Sequence, residues 1–168
     1  VLGFYLIIAL GPSGPVTEFL GLFGFEGQLT FNLMGLVIGS VIFSLPFMVQ
    51  PMMSAFQALP EEVLDAARLM RAGFVDRFVN VILPLARQGL VVGSVLTFAH
   101  TVGEFGVVLM VGGNIEGETR LVSIAIFDHV ESFEYEQAHL LSAIMVVFSL
   151  LTLVSVYLIN RRLSARLG

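Results

Sequence analysis

The sequence predicts an all-α, polytopic bundle of membrane helices, and three observations predict it. Hydrophobic residues make up 57% and charged residues 12% of the 168, against roughly 45–50% and about 25% in soluble domains, and the mean hydropathy is +0.94. Three apolar runs, 31–56, 85–113 and 138–160, are each long enough to cross hydrocarbon, which takes about 20 helical residues. All eight basic residues are arginine, and all but Arg120 fall between the first two runs, at their junction, or beyond the third.

Composition also excludes chemistry. Without lysine there is no G-x-x-x-x-G-K-[ST] phosphate loop, so ATP hydrolysis falls to another chain. The count of cysteine is 0, which removes disulfides, thiolate metal sites, iron–sulfur clusters and thiol nucleophiles. The formal charge of −5 matters less than which side of a membrane holds which sign.

In order, 1–10 is apolar but too short to span and reads as the end of a membrane helix, making the sequence an N-terminally truncated fragment. The segment 11–30 opens with the breaker cluster Gly-Pro-Ser-Gly-Pro and carries Glu18 and Glu26, an outer loop with a small interfacial helix around Phe19 to Phe23. The span 31–56 carries Gly35 and Gly39, extended by Ser40 and Ser44, a spacing that serves a helix-packing seam or merely reflects tolerated small residues. Pro46 and Pro51 are expected to kink its far half. The span 85–113 is the most polar: Ser94, Thr97, Thr101 and Glu104 fall at steps of three and four on one helical stripe, with His100 beside it. The outer segment 114–137 places Leu121, Ile124 and Phe127 on one face of a short helix among carboxylates. The span 138–160 is followed by the tail 161–168, where Arg161, Arg162 and Arg166 fix a cytoplasmic C-terminus by the positive-inside rule. Three spans then place 57–84 on the same side, leaving Arg120 as the outer cation.

The stretch 60–84, PEEVLDAARLMRAGFVDRFVNVILP, interrupts the apolar runs with charge. Pro60 suits the first position of a helix, and Glu61 and Glu62 oppose the positive end of its dipole. Val63, Ala66, Ala67 and Met70 share one face, with Glu62, Asp65, Arg68 and Arg71 on the others. Gly73 is expected to end this helix in the left-handed conformation, and a second short helix from Phe74 to stop at Leu83-Pro84. Charge alone favours a plain solvated loop between two spans.

Asp65-Ala66-Ala67, with Leu83-Pro84 at the far end, resembles the EAA loop of permease subunits of binding-protein-dependent ABC importers, with Asp for the usual Glu and Arg71 where glycine is usual. Gly103-Glu104-Phe105-Gly106 resembles the G-E-F-G segment of the sulfate and molybdate branch. Asn114-Ile115-Glu116-Gly117-Glu118-Thr119-Arg120 is similar to the N-I-P-G-E-T-R stretch of molybdate permeases. The resemblance covers nearly the whole chain and implies the MetI-like type I importer permease fold in a bacterial inner membrane. It implies a homodimer of permeases surrounded by lipid, two ABC ATP-binding subunits that hold ATP and Mg, and a periplasmic or lipid-anchored molybdate-binding protein. No nucleic acid, metal or cofactor is expected on this chain.

The resemblance makes Glu62, Asp65, Ala66, Ala67, Arg71, Gly73, Leu83 and Pro84 the ATPase-coupling loop. Ser94, Thr97, Thr101 and Glu104 are path or gate candidates: hydroxyls donate to an oxyanion without trapping it, whereas an ionised Glu104 would repel it. Glu104 therefore reads as a gate or a packing anchor. Arg120 either meets an arriving oxyanion or pairs locally with Glu116 or Glu118. Sulfate, tungstate or another tetrahedral oxyanion remain alternative cargoes, and a membrane enzyme with His100 and Glu104 as an acid–base pair remains a remote alternative function. No catalytic residues are assigned.

Overall fold

The computed structural model describes residues 1–24 and 27–165, and of residues 159–165 the backbone only. Glu26 and Arg166 lie outside the described residues, and the side chains of Arg161 and Arg162 are likewise not described. In chain order the helices are α1 (Leu2–Leu10), α2 (Pro15–Gly21), α3 (Leu33–Gln57), α4 (Glu61–Leu69), α5 (Phe74–Arg77), α6 (Leu83–Val102), α7 (Gly106–Gly112), α8 (Val122–Glu131) and α9 (Tyr135–Ala165). Among the described residues, three helical stretches are long and apolar enough to cross a membrane: Leu33–Gln57, Phe74–Val102 and Tyr135–Leu158.

The chain divides into two compact units. The first comprises Val1–Ser44 with His100–Leu150. Here α1 packs on α7 through Leu6, Leu10, Val107 and Val111, closed by Leu29. Pro15 opens α2, and the buried Thr17 hydroxyl donates to the Leu10 carbonyl at 3.1 Å, satisfying an orphan acceptor at the end of α1. A second cluster joins Leu36 of α3, Val108 of α7 and Ile124 of α8.

The pair Gly35 and Gly39 has two different uses. A methyl group at Gly35 would collide with the Leu29 carbonyl oxygen, so this glycine lets the preceding loop close on α3. At Gly39 it would meet Val107 and Val111 at an ordinary 3.7 Å.

The second unit comprises Leu45–Ala99 with Leu151–Gly168. Its tightest helix contact uses Gly89 and Gly93 of α6. A methyl at Gly93 would lie 2.7 Å from Met48 Sδ and 3.2 Å from the Met48 carbonyl, and one at Gly89 would lie 2.8 Å from the Pro51 carbonyl and strike Ala55 Cβ. α3 runs on as helix through Pro46 and Pro51.

Helix boundaries differ from the sequence expectation: α2 occupies Pro15–Gly21, ahead of the expected 19–23, α9 runs Tyr135–Ala165, beyond the expected 138–160, and two further differences have a local reason. The helix that starts at Phe74 does not stop at Pro84; it passes through a π-helical turn, Phe78–Ile82, into α6. Proline lacks an N–H and its ring crowds the carbonyl four residues back, so a wider turn makes room, with Leu83 N–H reaching the Phe78 carbonyl. At the other end α6 stops at Val102, and Gly103–Phe105 breaks the chain before α7. The apolar run 85–113 is thus one membrane-length helix plus a separate short one.

Candidate functional site: a charged hairpin and a polar stripe

The hairpin is built by α4, a tight turn and α5. Pro60 is extended (φ −64°, ψ 127°), and Glu61 and Glu62 occupy the first turn while Arg68 sits in the last, each opposing the helix dipole. Arg68 and Asp65 pair at 2.7 Å with both side chains more exposed than buried, a contact worth about 0–1 kcal/mol.

The turn after α4 is a Schellman motif. Arg71 N–H donates to the Arg68 carbonyl at 3.0 Å and Ala72 N–H to the Ala67 carbonyl at 3.3 Å. Its left-handed residue is Arg71, at φ 58°. Gly73 instead has φ −64° and ψ 165° and caps α5, so the helix ends two residues earlier than the glycine suggests. The position where importer permeases usually carry glycine is therefore the one that needs positive φ, and a side chain there costs roughly 1–2 kcal/mol.

Burial on α4 also departs from the expected face. Ala67 is buried and Leu64 half-buried, while Ala66 and Met70 are exposed. Ala67 thus belongs to the hairpin's own packing, and α4 rests on the π turn. Leu69, Met70, Phe74 and Val75 are 72% to 84% exposed, an apolar group around the turn that nothing in the described residues covers. Exposed apolar clusters of this kind mark interaction surfaces. Of the other motif residues, Glu62 and Pro84 are exposed and Leu83 is half-buried.

The polar stripe does not act as one. In the second unit, Ser94 is exposed and the Thr97 hydroxyl is buried without a hydrogen-bond partner among the described residues. In the first unit, Thr101 Oγ1 and His100 Nδ1 both meet the buried Ser44 hydroxyl, at 2.8 and 3.1 Å, and the His100 ring lies 4.8 Å from that of Phe43. His100 and Glu104 do not share a helix face, because α6 ends between them at Val102. Ser44 was visible only as a small residue; its recurrence four residues after Ser40 in an apolar helix was the available signal.

Glu104 is 4% exposed, in the break after α6. Its carbonyl accepts from Ser123 Oγ at 2.7 Å and its N–H donates to the Thr101 carbonyl, while the neighbouring Phe105 ring lies 4.7 Å from Phe127. The Ser40 hydroxyl lies beside the carboxylate, yet neither oxygen reaches hydrogen-bond geometry with a described residue. No hydrogen bond therefore makes His100 and Glu104 an acid–base pair. Backbone hydrogen bonds and the Phe105–Phe127 ring contact hold the break. Glu104→Gln should retain uptake within about twofold, because an isosteric amide keeps the size and polarity of the buried side chain. Transport lost by more than about tenfold in that variant would show instead that the charge itself is used.

On the outer segment, Arg120 pairs with Asp128 at 3.0 Å and more loosely with Glu116 at 3.8 Å, and Asn114 Nδ2 donates to the same Asp128 carboxylate at 3.1 Å. Thr119 Oγ1 donates to the Gly112 carbonyl at 2.6 Å and accepts from Ile115 N–H, folding the 113–120 turn around itself. Gly113 starts this turn at φ 75° with the Phe31 ring against it. Arg120 is thus engaged locally, and its main partner is Asp128 rather than Glu116 or Glu118. Among the described residues no cluster of metal-ligating side chains occurs.

Three membrane-length helical stretches, two of them joined by a folded hairpin with an exposed apolar turn, define a polytopic membrane protein. Residues 1–168 match the family described as binding-protein-dependent transport system inner membrane component, and the chain belongs to that family. It is 54% identical over 171 residues to the molybdenum transport system permease protein ModB of Azotobacter vinelandii, a match spanning 100% of this chain and 74% of that protein. ModB of Escherichia coli K12 is 33% identical across 79% of this chain and 57% of its own length. The sulfate transport system permease protein CysT of Salmonella typhimurium is 29% identical across 99% of this chain and 59% of its own length. The chain thus spans between about half and three quarters of the relatives it matches.

Proposed function

We propose that the chain is the permease of an ATP-driven molybdate importer. The observation that carries this reading is the 54% identity, across the whole chain, to a molybdenum permease. In this reading two permease copies enclose the path, and a molybdate-binding protein delivers the anion from outside. Two ATP-binding subunits, which hold ATP and Mg, close on hydrolysis cycles and move the hairpin at 57–84. The arginines at 68, 71, 77, 87, 161, 162 and 166 put that hairpin and the C-terminus in the cytoplasm, where positive charge is retained.

The path would then use hydroxyls more than charge. The exposed Ser94 presents a donor that binds an oxyanion without holding it, as release requires, and the buried, unpartnered Thr97 hydroxyl would join it only if the helices shift. Thr101 is tied to Ser44, so it serves as a helix tether that opens only if the helices shift.

The test is uptake into vesicles holding the permease, its ATP-binding subunit and its binding protein, with tungstate and sulfate as competitors. Uptake that needs all three and is blocked by tungstate alone supports molybdate. Equal competition by sulfate would move the cargo to the sulfate branch, toward which the 28–30% identities to sulfate permeases point more weakly.

A further inference from the structure

We propose that Arg71 is a specificity-determining contact of the hairpin, its guanidinium pairing with a carboxylate on the docking face of the ATP-binding subunit. The inference rests on the reading of 57–84 as the docking loop and names one recognition element within it.

The backbone at Arg71 is left-handed, with φ 58°, in a motif that glycine or asparagine closes with less strain. The fold makes no use of the side chain in exchange. Arg71 is exposed, and among the described residues its guanidinium has no hydrogen bond or ion pair.

Two of the nearest carboxylates are already engaged. Asp65 holds Arg68 at 2.7 Å, and Asp76 accepts from Asn80 at 2.6 Å. Glu61 and Glu62 sit at the opposite end of α4. Arg71 is therefore an unpaired, exposed cation at the tip of the hairpin, whereas Arg77, the other cation without an ion pair among the described residues of the hairpin, lies at the end of α5 with its Nε buried.

Its neighbours decide the chemistry of the partner. Leu69 and Met70 precede it and Phe74 and Val75 follow, all strongly exposed. Covering these apolar side chains expels water from around the turn, and a guanidinium losing water needs a counter-charge. A carboxylate offers the planar, bidentate match that arginine takes and lysine does not. The complementary surface is thus an apolar pocket with an aspartate or glutamate at its rim.

The experiment titrates the ATP-binding subunit against permease in vesicles and reads permease-dependent ATPase stimulation at several salt concentrations. Arg71→Gly relieves the backbone yet should weaken apparent affinity about tenfold and flatten its salt dependence, because a docked carboxylate loses its partner. Arg71→Glu should weaken it by about a hundredfold, and Arg71→Lys by only about threefold. Wild-type affinity in both Arg71→Gly and Arg71→Glu would overturn the inference. Met70→Glu separates the two levels: if it abolishes stimulation while Arg71→Glu does not, only the role of Arg71 falls. If Met70→Glu also associates normally, the docking reading of the hairpin falls with it.

Discussion

Gly89→Val is expected to prevent formation of a stable transporter. At Gly89 the backbone of α6 approaches α3 so closely that even a methyl group would strike Ala55 and lie 2.8 Å from the Pro51 carbonyl oxygen. Neither obstacle can swing aside, because one is main chain and the other a side chain with no rotamer. In a membrane, apolar lipid removes the hydrophobic drive for helix association, and close backbone packing through small residues supplies much of what remains. Valine adds three carbons, and overpacking of this kind costs about 1–3 kcal/mol or more where the backbone must move. Gly93→Ala should be milder, since its nearest obstacle is Met48 Sδ at 2.7 Å, the far part of a flexible side chain. Thermal aggregation of the purified assembly checks both. Wild-type stability of Gly89→Val would mean that α3 and α6 do not meet as described.

Ala67→Arg is expected to abolish transport while leaving the chain in the membrane. Ala67 is 8% exposed, and its carbonyl closes the Schellman turn by accepting from Ala72 N–H. A guanidinium forced into that site has no carboxylate waiting. An uncompensated buried charge costs about 3–5 kcal/mol, more than a short exposed hairpin can absorb without opening. The membrane-length helices do not depend on this contact, so insertion and abundance should hold while ATP-driven uptake falls by about a hundredfold or more. Ala67→Ser, which adds a single oxygen, should stay near wild type. Normal uptake by Ala67→Arg, with the protein present at wild-type level, would remove the hairpin from the mechanism.

Much of this architecture is legible in the residues, and the illegible parts share a cause. Apolar length and arginine placement mark helices and the loop between them, because hydrocarbon thickness and charge sidedness act over whole segments. Geometry that hangs on one backbone torsion or one cross-chain contact leaves no such periodic trace. The break at Gly103–Phe105 is hidden because the residues after it, Val107 to Val111, continue the apolar run that precedes it. The π turn at Phe78–Ile82 is hidden because proline in a helix usually reads as a stop. Arg71 looks like one more charged loop residue until its φ of 58° is seen, and Gly73 draws attention that belongs two residues earlier. Gly35 and Gly39 advertise a packing seam by spacing, yet Gly89 and Gly93 have the same spacing and form the closer helix contact.

The candidate site was legible unevenly for the same reason. The hairpin's motif residues are contiguous, so sequence locates them; which of them face outward is a tertiary matter, and Ala67 turns inward where Met70 turns out. The stripe from Ser94 to Glu104 assumed an unbroken helix. With the helix ending at Val102, Glu104 becomes a buried residue of a turn fastened to Ser123, and the hydroxyl that meets Thr101 comes from Ser44, distant in sequence.

Docking of the hairpin's exposed turn on the ATP-binding subunit, as proposed, is open to direct observation. The cysteine count of 0 makes a direct test possible. Met70→Cys, 83% exposed in the wild type, is labelled with a thiol-directed photo-crosslinker in the assembled transporter and irradiated with and without ATP, with Glu136→Cys as the control. A covalent adduct between Met70→Cys and the ATP-binding subunit, with a yield that changes with ATP, is expected, and none from Glu136→Cys. Absence of the adduct at Met70→Cys, in an assembly that hydrolyses ATP and transports, would contradict docking.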